Sequence, residues 1–436
     1  MQFTSTRDES HQAPLAAALA DGLAPDGGLY VPTAFPDLGP EAFDGLERIE
    51  AIAERLLRPF FAGDRLEEAL PAICAETFSF PVPLRDLRDD TAVLELFHGP
   101  TAAFKDVGAR FLASGLSRLN AGADAPVTIL VATSGDTGAA VAAAFHQKPN
   151  VEVIVLYPKG RVSDRQEKQL TGWGGNVLTV AVQGVFDDCQ QLVKAAFRDD
   201  WWQTHRRLSS ANSINLGRLL PQMTYYAAAS LWYQRRHGAR PGFIVPSGNL
   251  GNALAALYAR ACGLPIGEVV MATNANRPVT HFLETGDWQP FDTEQTLATA
   301  MDVGDPSNME RVRYHWPDVG ALRQAVRAER ITDDAIRRQI RRGPAVWGEV
   351  WDPHTATAVE VREQTGTPHW ILVATAHPAK FEQIVEPLIG ATVPVPEALA
   401  AVMDRAAPAP EIAPSLDALR DVVVVREEQQ RAAARE

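Results

Sequence analysis

Three apolar runs in this chain open directly onto a polar loop of small residues that leads into a helical pattern. Thr128–Thr133 is followed by SGDTGAAVAAAFH, Phe243–Pro246 by SGNLGNALAALYARA, and Ile371–Ala374 by TAHPAKFEQI. Runs this short, apolar throughout rather than alternating, are the pattern of strands buried on both faces of a parallel sheet. Two further runs fit the same scheme: Val151–Tyr157 leads into PKGRVS, and Val177–Val182 precedes a helical Asp187–Phe197. Parallel strands need crossover connections, so the expected architecture is an open α/β sheet with ligand groups gathered at strand ends. No regular internal repeat is present.

The 436 residues allow two or three domains. The N-terminal region has a short extended start, a turn-rich Leu23–Pro40 segment containing PDGG, and helical patterning over Leu46–Phe61 and Leu66–Glu76. FPVPLRDLRDD (Phe80–Asp90) marks a boundary before a strand at Ala92–Phe97, because its prolines and charges interrupt either regular structure. DVGDPSNMERVRYH reads as a surface loop or site insertion. Ala321–Arg342 reads as a solvated helical surface with mixed charges. Pro394–Arg426 mixes helical runs with APAPEIAP, and EEQQRAAARE reads as an exposed terminal extension.

Lys and Arg number 41 against 54 Asp and Glu, a formal net charge of −13. That balance argues against nucleic acid or anionic lipid as partners and requires any anionic ligand to be held by local chemistry. Cys74, Cys189 and Cys262 have no metal-ligand spacing, and their odd number cannot all pair within the chain. Neither a secretory signal nor a membrane-length apolar stretch is read, so the cytoplasm is the expected location and no membrane partner is expected.

Chemistry concentrates after the strands. In FHGPTAAFKDVGARF, Thr101 is expected to start a helix that presents Lys105, whose amine suits a Schiff base with a carbonyl cofactor if burial keeps it neutral. Asp106 is a candidate ion partner, and Gly108 permits close packing; a solvated lysine near a helix end explains the same run. In SGDTG, Ser134, Thr137 and backbone donors suit a carboxylate, while Asp136 suits orienting a donor; taken alone, the segment reads first as a structured turn. SGNLGN has the glycines and the following helix to cradle an anion, or simply to turn. Neither loop has a Walker or dinucleotide spacing. In TAHPAKF, Thr375 ends a strand, and His377 and Lys380 suit an anion or proton traffic; His354 in DPHTA is equally open, and no triad follows from sequence distance.

Taken in order, HGPTAAFKD, SGDTGAA, SANSINLGRLLPQ (Ser210–Gln222), SGNLGN and TAHPAKF resemble the threonine synthases of the bacterial and fungal type. STR near Ser5, LAPDGGLYVP near Leu23, GDPSNMERV near Gly304 and DPHTA near Asp352 extend the resemblance to about residue 395. It implies an α/β, tryptophan-synthase-like fold type II PLP enzyme with two open α/β domains and an additional N-terminal domain. The implied limits are 1–85 for the N-terminal domain, 86–127 and 212–395 for the large cofactor domain, 128–211 for the smaller α/β domain, and 396–436 for C-terminal helices and tail.

The resemblance further implies pyridoxal 5'-phosphate (PLP) as cofactor, with Lys105 as its Schiff-base residue and proton shuttle. Gly248, Asn249, Leu250, Gly251 and Asn252 would cradle its phosphate, and Thr375 would meet the pyridine nitrogen. Ser134, Asp136 and Thr137 would meet the substrate's amino-acid end. Asn212, Ser213, Asn215, Arg218, Ser307, Asn308, Arg311 and Lys380 are the distal-phosphate candidates. The implied reaction, that of a carbon–oxygen lyase acting on phosphate, converts O-phospho-L-homoserine and water to L-threonine and phosphate, and the expected state is a monomer. The alternatives are a related PLP lyase such as threonine dehydratase or cysteine synthase, against which SANSIN, GDPSN and TAHPAKF argue, and a noncatalytic anion-binding protein.

Overall fold

Fourteen strands organise the described residues, 1–405 and 407–433, of the computed structural model. They are β1 (Phe3–Ser5), β2 (Gln12–Ala13), β3 (Tyr30–Pro32), β4 (Leu84–Asp86), β5 (Thr91–Glu95), β6 (Val127–Ala132), β7 (Val151–Pro158), β8 (Val177–Val182), β9 (Arg207–Ser209), β10 (Gly242–Pro246), β11 (Val269–Thr273), β12 (Val326–Arg330), β13 (Trp370–Ala374) and β14 (Glu411–Ile412).

The first three form a small antiparallel sheet, β2-β1-β3. The helix Ile49–Phe61 belongs to the same N-terminal region and buries Ile52, Ala53, Leu56, Leu57, Phe60 and Phe61, the three-and-four spacing of one helical face. A six-stranded sheet follows in the order β12-β11-β10-β13-β5-β4, parallel except for the β4–β5 pair. The third sheet, β14-β8-β7-β6-β9, is parallel throughout. β5, β6, β10, β11 and β13 are buried at every position, so their sequences carry no alternation.

In the six-stranded sheet β10 is followed on one side by β11 and β12, whereas β13 and β5 lie on its other side. Order reverses there, and in open α/β sheets the crevice beyond the carboxyl ends of the strands at such a point is where ligands bind. The loops after β5, β10 and β13 emerge at that crevice, and those after β6 and β9 of the third sheet face it.

Two readings change. Ala321–Arg342 is not a continuous helical surface: it contains β12, the charged edge strand of the large sheet. The C-terminal segment is not merely appended: β14 pairs with β8, and the helix Leu416–Ala433 buries Leu419 and Val423 against Leu192 and Trp202 of the smaller sheet unit. Glu427, read as part of an exposed extension, pairs with Arg206; residues 434–436 of that extension lie outside the described residues. No helix among the described residues is long and apolar enough to cross a membrane.

Candidate active site

The strand-end loops enclose a cavity of about 670 Å³. Lys105 lies on its wall as the first residue of the helix Lys105–Leu119. Thr101 therefore lies in the preceding turn instead of starting the helix. Its amide and hydroxyl both donate to Asp106, at 2.9 and 2.7 Å, so Asp106 organises the turn and is not the partner of Lys105. The turn is zipped to the loop after β13: Phe104 N donates to Thr375 O, and His377 N to Ala102 O. The Lys105 side chain is 15% exposed, half-buried and reachable from the cavity. Burial, opposed by Asp136 and assisted by the charges of Lys380 and Arg218, brings its amine down to about 8.

After β6 the Thr133 hydroxyl accepts from Gly135 N and Gly138 N, folding SGDTG into the start of the helix Asp136–Phe145. Ser134, Asp136 and Thr137 line the cavity. Gly135 has φ +135°, a conformation that L side chains rarely adopt. One oxygen of Asp136 lies 2.8 Å from Lys380 Nζ and the other 4.0 Å from Lys105 Nζ. Burial works to raise this carboxyl, but the two ammonium charges outweigh it and hold it well below the usual carboxylate range.

After β10, SGNLGN reaches the helix Gly251–Ala261 through Leu250 in a left-handed conformation, φ +62°. Asn249 ties three loops together: its Nδ2 donates to Ser213 Oγ and its Oδ1 accepts from Ser307 N. Asn252 Oδ1 accepts from Tyr225 and Tyr226, whereas its buried Nδ2 has no partner among the described residues. The amides of Gly248, Asn249 and Leu250 likewise meet no backbone acceptor among the described residues. Unspent donors at a helix N-terminus, beside a half-buried amine of lowered basicity, fit a phosphorylated aldehyde such as PLP. Thr375, on the wall at the end of β13, offers the ring a neutral hydroxyl.

The structure divides the eight distal-phosphate candidates. Asn212, Ser213, Arg218 and Ser307 line the cavity. Arg218 is 3% exposed, its Nε lacks a partner among the described residues, and burial brings its guanidinium down to about 10. The other four stand behind the wall. Asn215 caps the helix Leu216–Leu219 and donates to Leu19 O and Ser210 O. Arg311 spends all three nitrogens on Tyr30 O, Asn308 Oδ1 and Ile214 O. Asn308 donates in turn to Asn249 O, so it and Arg311 brace the loops. Lys380 is fully buried on Asp136 and Thr101 O. His377 caps the turn Pro378–Phe381 and is not on the wall.

Sequence reasoning missed part of the wall. Met301, just before the insertion, and Asp302, its first residue, close one side, and burial pushes the Asp302 carboxyl up to about 6 against hydrogen bonds from Thr296 and Asn274. His354 Nε2 accepts from Ala300 N, which leaves Nδ1 to donate to Asp352 and fixes its tautomer. Asp21 and Leu23 of the N-terminal region, and Lys194 and Arg198 beyond β8, complete the rim. The helical spacing of Phe186, Gln190, Val193, Lys194 and Phe197 was the available signal for a face that looks at one site.

Three family models match successive parts of the chain. Residues 2–78 match one described as threonine synthase N terminus, 83–361 one described as pyridoxal-phosphate dependent enzyme, and 355–423 one described as threonine synthase, C-terminal. The resemblance therefore runs beyond residue 395. The threonine synthase of Serratia marcescens is 41% identical over 409 residues, and that of Escherichia coli K12 40% over 405; each alignment covers 92% of this chain and 94% of the relative. Among solved structures, PLP-bound threonine synthase from Brucella melitensis superposes with a TM-score of 0.90 at 34% identity, covering 97% of this chain and 98% of that one. The Escherichia coli threonine synthase superposes at 0.88 and 38%, covering 98% and 100%. Maize serine racemase, at 15% identity and a TM-score of 0.51 over 68% of this chain and 87% of that one, shares the fold alone.

Proposed function

This chain belongs to the threonine synthase family and converts O-phospho-L-homoserine and water to L-threonine and phosphate with PLP as its cofactor; from that premise we propose how its residues divide the work. When bound, PLP takes up the electron pair left on the substrate when its α-proton is removed.

Lys105 holds the cofactor and serves as the base at the α-carbon, with its Nζ carrying protons between successive positions of the substrate. An amine near 8 has an appreciable neutral fraction at neutral pH and still returns a proton readily. Gly248, Asn249, Leu250, Gly251 and Asn252 receive the cofactor phosphate at the start of their helix. A neutral Thr375 hydroxyl does not hold a pyridine nitrogen protonated as a carboxylate does. Ser134 and Thr137, at the start of the helix after β6, take the substrate carboxylate. Arg218, backed by Asn212, Ser213 and Ser307, takes the distal phosphate; the planar guanidinium suits two-point recognition of an anion that must first be held and then released.

The observation that carries this division is the convergence on one half-buried amine of three strand-end loops bearing donors for three separate anions. PLP-loaded protein incubated with O-phospho-L-homoserine should yield L-threonine and phosphate in equal amounts, resolved by chiral chromatography and a phosphate assay. Lys105→Ala should lose turnover by about 1000-fold or more and retain no covalently bound cofactor. Turnover of a competing amino acid in place of this substrate would defeat the assignment. We assign a monomer, readable by sedimentation, and the cytoplasm as its location.

A further inference from the structure

Lys380 is out of the cavity, yet the chemistry around it is aimed at Lys105. Its side chain is fully buried and donates to Thr101 O at 2.7 Å and to Asp136 Oδ1 at 2.8 Å. Thr101 belongs to the turn that delivers Lys105, and the other oxygen of Asp136 lies 4.0 Å from Lys105 Nζ. Two lysines thus share one buried carboxylate, and only Lys380 engages it at hydrogen-bond distance. We propose that Lys380 is a positioning residue that, by occupying Asp136 and adding its own charge, keeps Lys105 in the neutral form needed to capture and hold the cofactor.

The charge inventory supports this reading. Lys105 faces Asp136 from the helix after β6, Lys380 from the turn after β13, and Arg218 from the helix after β9. Asp136 also faces His354, and Lys380 also faces Asp106. A neighbouring cation and desolvation both disfavour an ammonium group, whereas an undivided carboxylate would favour it. Without Lys380, Lys105 would be the one lysine facing Asp136, which would keep His354 and the Gln166 amide as its other neighbours, and the same burial that makes an underpaired carboxylate costly would draw Lys105 to it. Lys380 also anchors the Lys105 turn through Thr101, so one side chain governs both where the amine sits and how readily it holds a proton.

This inference rests on Lys105 as the cofactor's residue, and the two fail separately: a visible cofactor band that persists in Lys105→Ala defeats the underlying reading and not the role of Lys380. The test compares wild type, Lys380→Met and Lys380→Arg as full-length protein. One readout is the pH titration of the visible absorption of the PLP-loaded protein. The other is the pH dependence with which Lys105 reacts with an amine reagent in the cofactor-free chain, followed by peptide mapping. Lys380→Met should move the Lys105 midpoint up by about one unit or more, slowing its reaction at neutral pH about tenfold; Lys380→Arg, which keeps the charge, should restore most of the shift. An unchanged midpoint in folded Lys380→Met overturns the proposal. If Lys380→Met does not fold, Lys380→Met/Asp136→Asn removes both buried charges together. The Lys105 midpoint should then stay at or below its wild-type value, and a rise to that of an ordinary lysine overturns the proposal.

Discussion

Arg218 reaches the cavity because residue 108 has no side chain. A Cβ on Gly108 would stand 2.8 Å from Arg218 O and 2.9 Å from its Nε. The first contact is with backbone, so no rotation of a flexible group relieves it. Gly108→Ala should therefore cost about 1–3 kcal/mol by overpacking and displace the guanidinium. Denaturant unfolding should show the loss of stability, and inorganic phosphate, used as a competing ligand, should bind more weakly; unchanged phosphate affinity would remove Arg218 from the distal pocket. At this scale the sequence shows which residue types are available and not what they face. Lys105 was legible because its motif is local, and Gly108 was legible as a close-packing position. Lys380 was misplaced because a lysine beside TAHP suits an anion pocket, and its actual partner, Asp136, arrives from the other sheet. Arg311 misled for the same physical reason: three acceptors contributed by separate segments consume it.

The loop after β10 shows how an element sets the site. Gly248 passes so close to the Thr299–Met301 turn that a Cβ there would stand 2.6 Å from Met301 Cα. That contact holds the loop proposed to receive the cofactor phosphate against the opposite wall, and backbone on both sides leaves neither free to yield. Gly248→Ala should push the Thr299–Met301 turn away and weaken PLP affinity about tenfold or more. The six-stranded sheet should persist, as read by cofactor fluorescence on titration alongside far-ultraviolet circular dichroism. Tight PLP binding by this variant would show that the loop tolerates a wider gap than its geometry indicates. The strands that carry the site were legible from sequence, since β6, β10 and β13 are buried on both faces and so appear as uninterrupted apolar runs. β12 was not, because an edge strand with sequence VRAER shows partial exposure and alternating charge, which also describes a solvated helix. β14, two residues long and paired with β8 at the sheet edge, carries too little pattern to be read at all.

At the scale of the whole molecule, the cavity depends on how the N-terminal region is fixed to the two large sheets, a relation between distant segments that periodicity does not encode. That region contributes Asp21 and Leu23 to the rim and the Tyr30 carbonyl that anchors Arg311. Glu76, on its helix Leu70–Thr77, joins the bodies. It receives Arg118 and Ser114 from the helix that begins at Lys105, and Lys148 from the connection between β6 and β7. Burial works to raise this carboxyl, but the hydrogen bonds from Arg118, Ser114 and Lys148 outweigh it and bring it down to about 2, from an ordinary 4.5. A carboxyl depressed by folding binds fewer protons in the native state than in the unfolded one. Its stabilisation is thus fully present above about pH 4.5 and is lost as pH falls towards about 2. The carboxylate is 38% exposed, so solvent screening reduces the contribution to the order of 1 kcal/mol. Urea unfolding of wild type and Glu76→Gln should differ by about that amount at pH 7, and the two curves of stability against pH should converge through the acid range. A difference that stays constant down to pH 2 would mean that the glutamine changes packing at the junction rather than removing a charge, and that the N-terminal region is held to the cavity by its other contacts, the Tyr30 carbonyl on Arg311 among them.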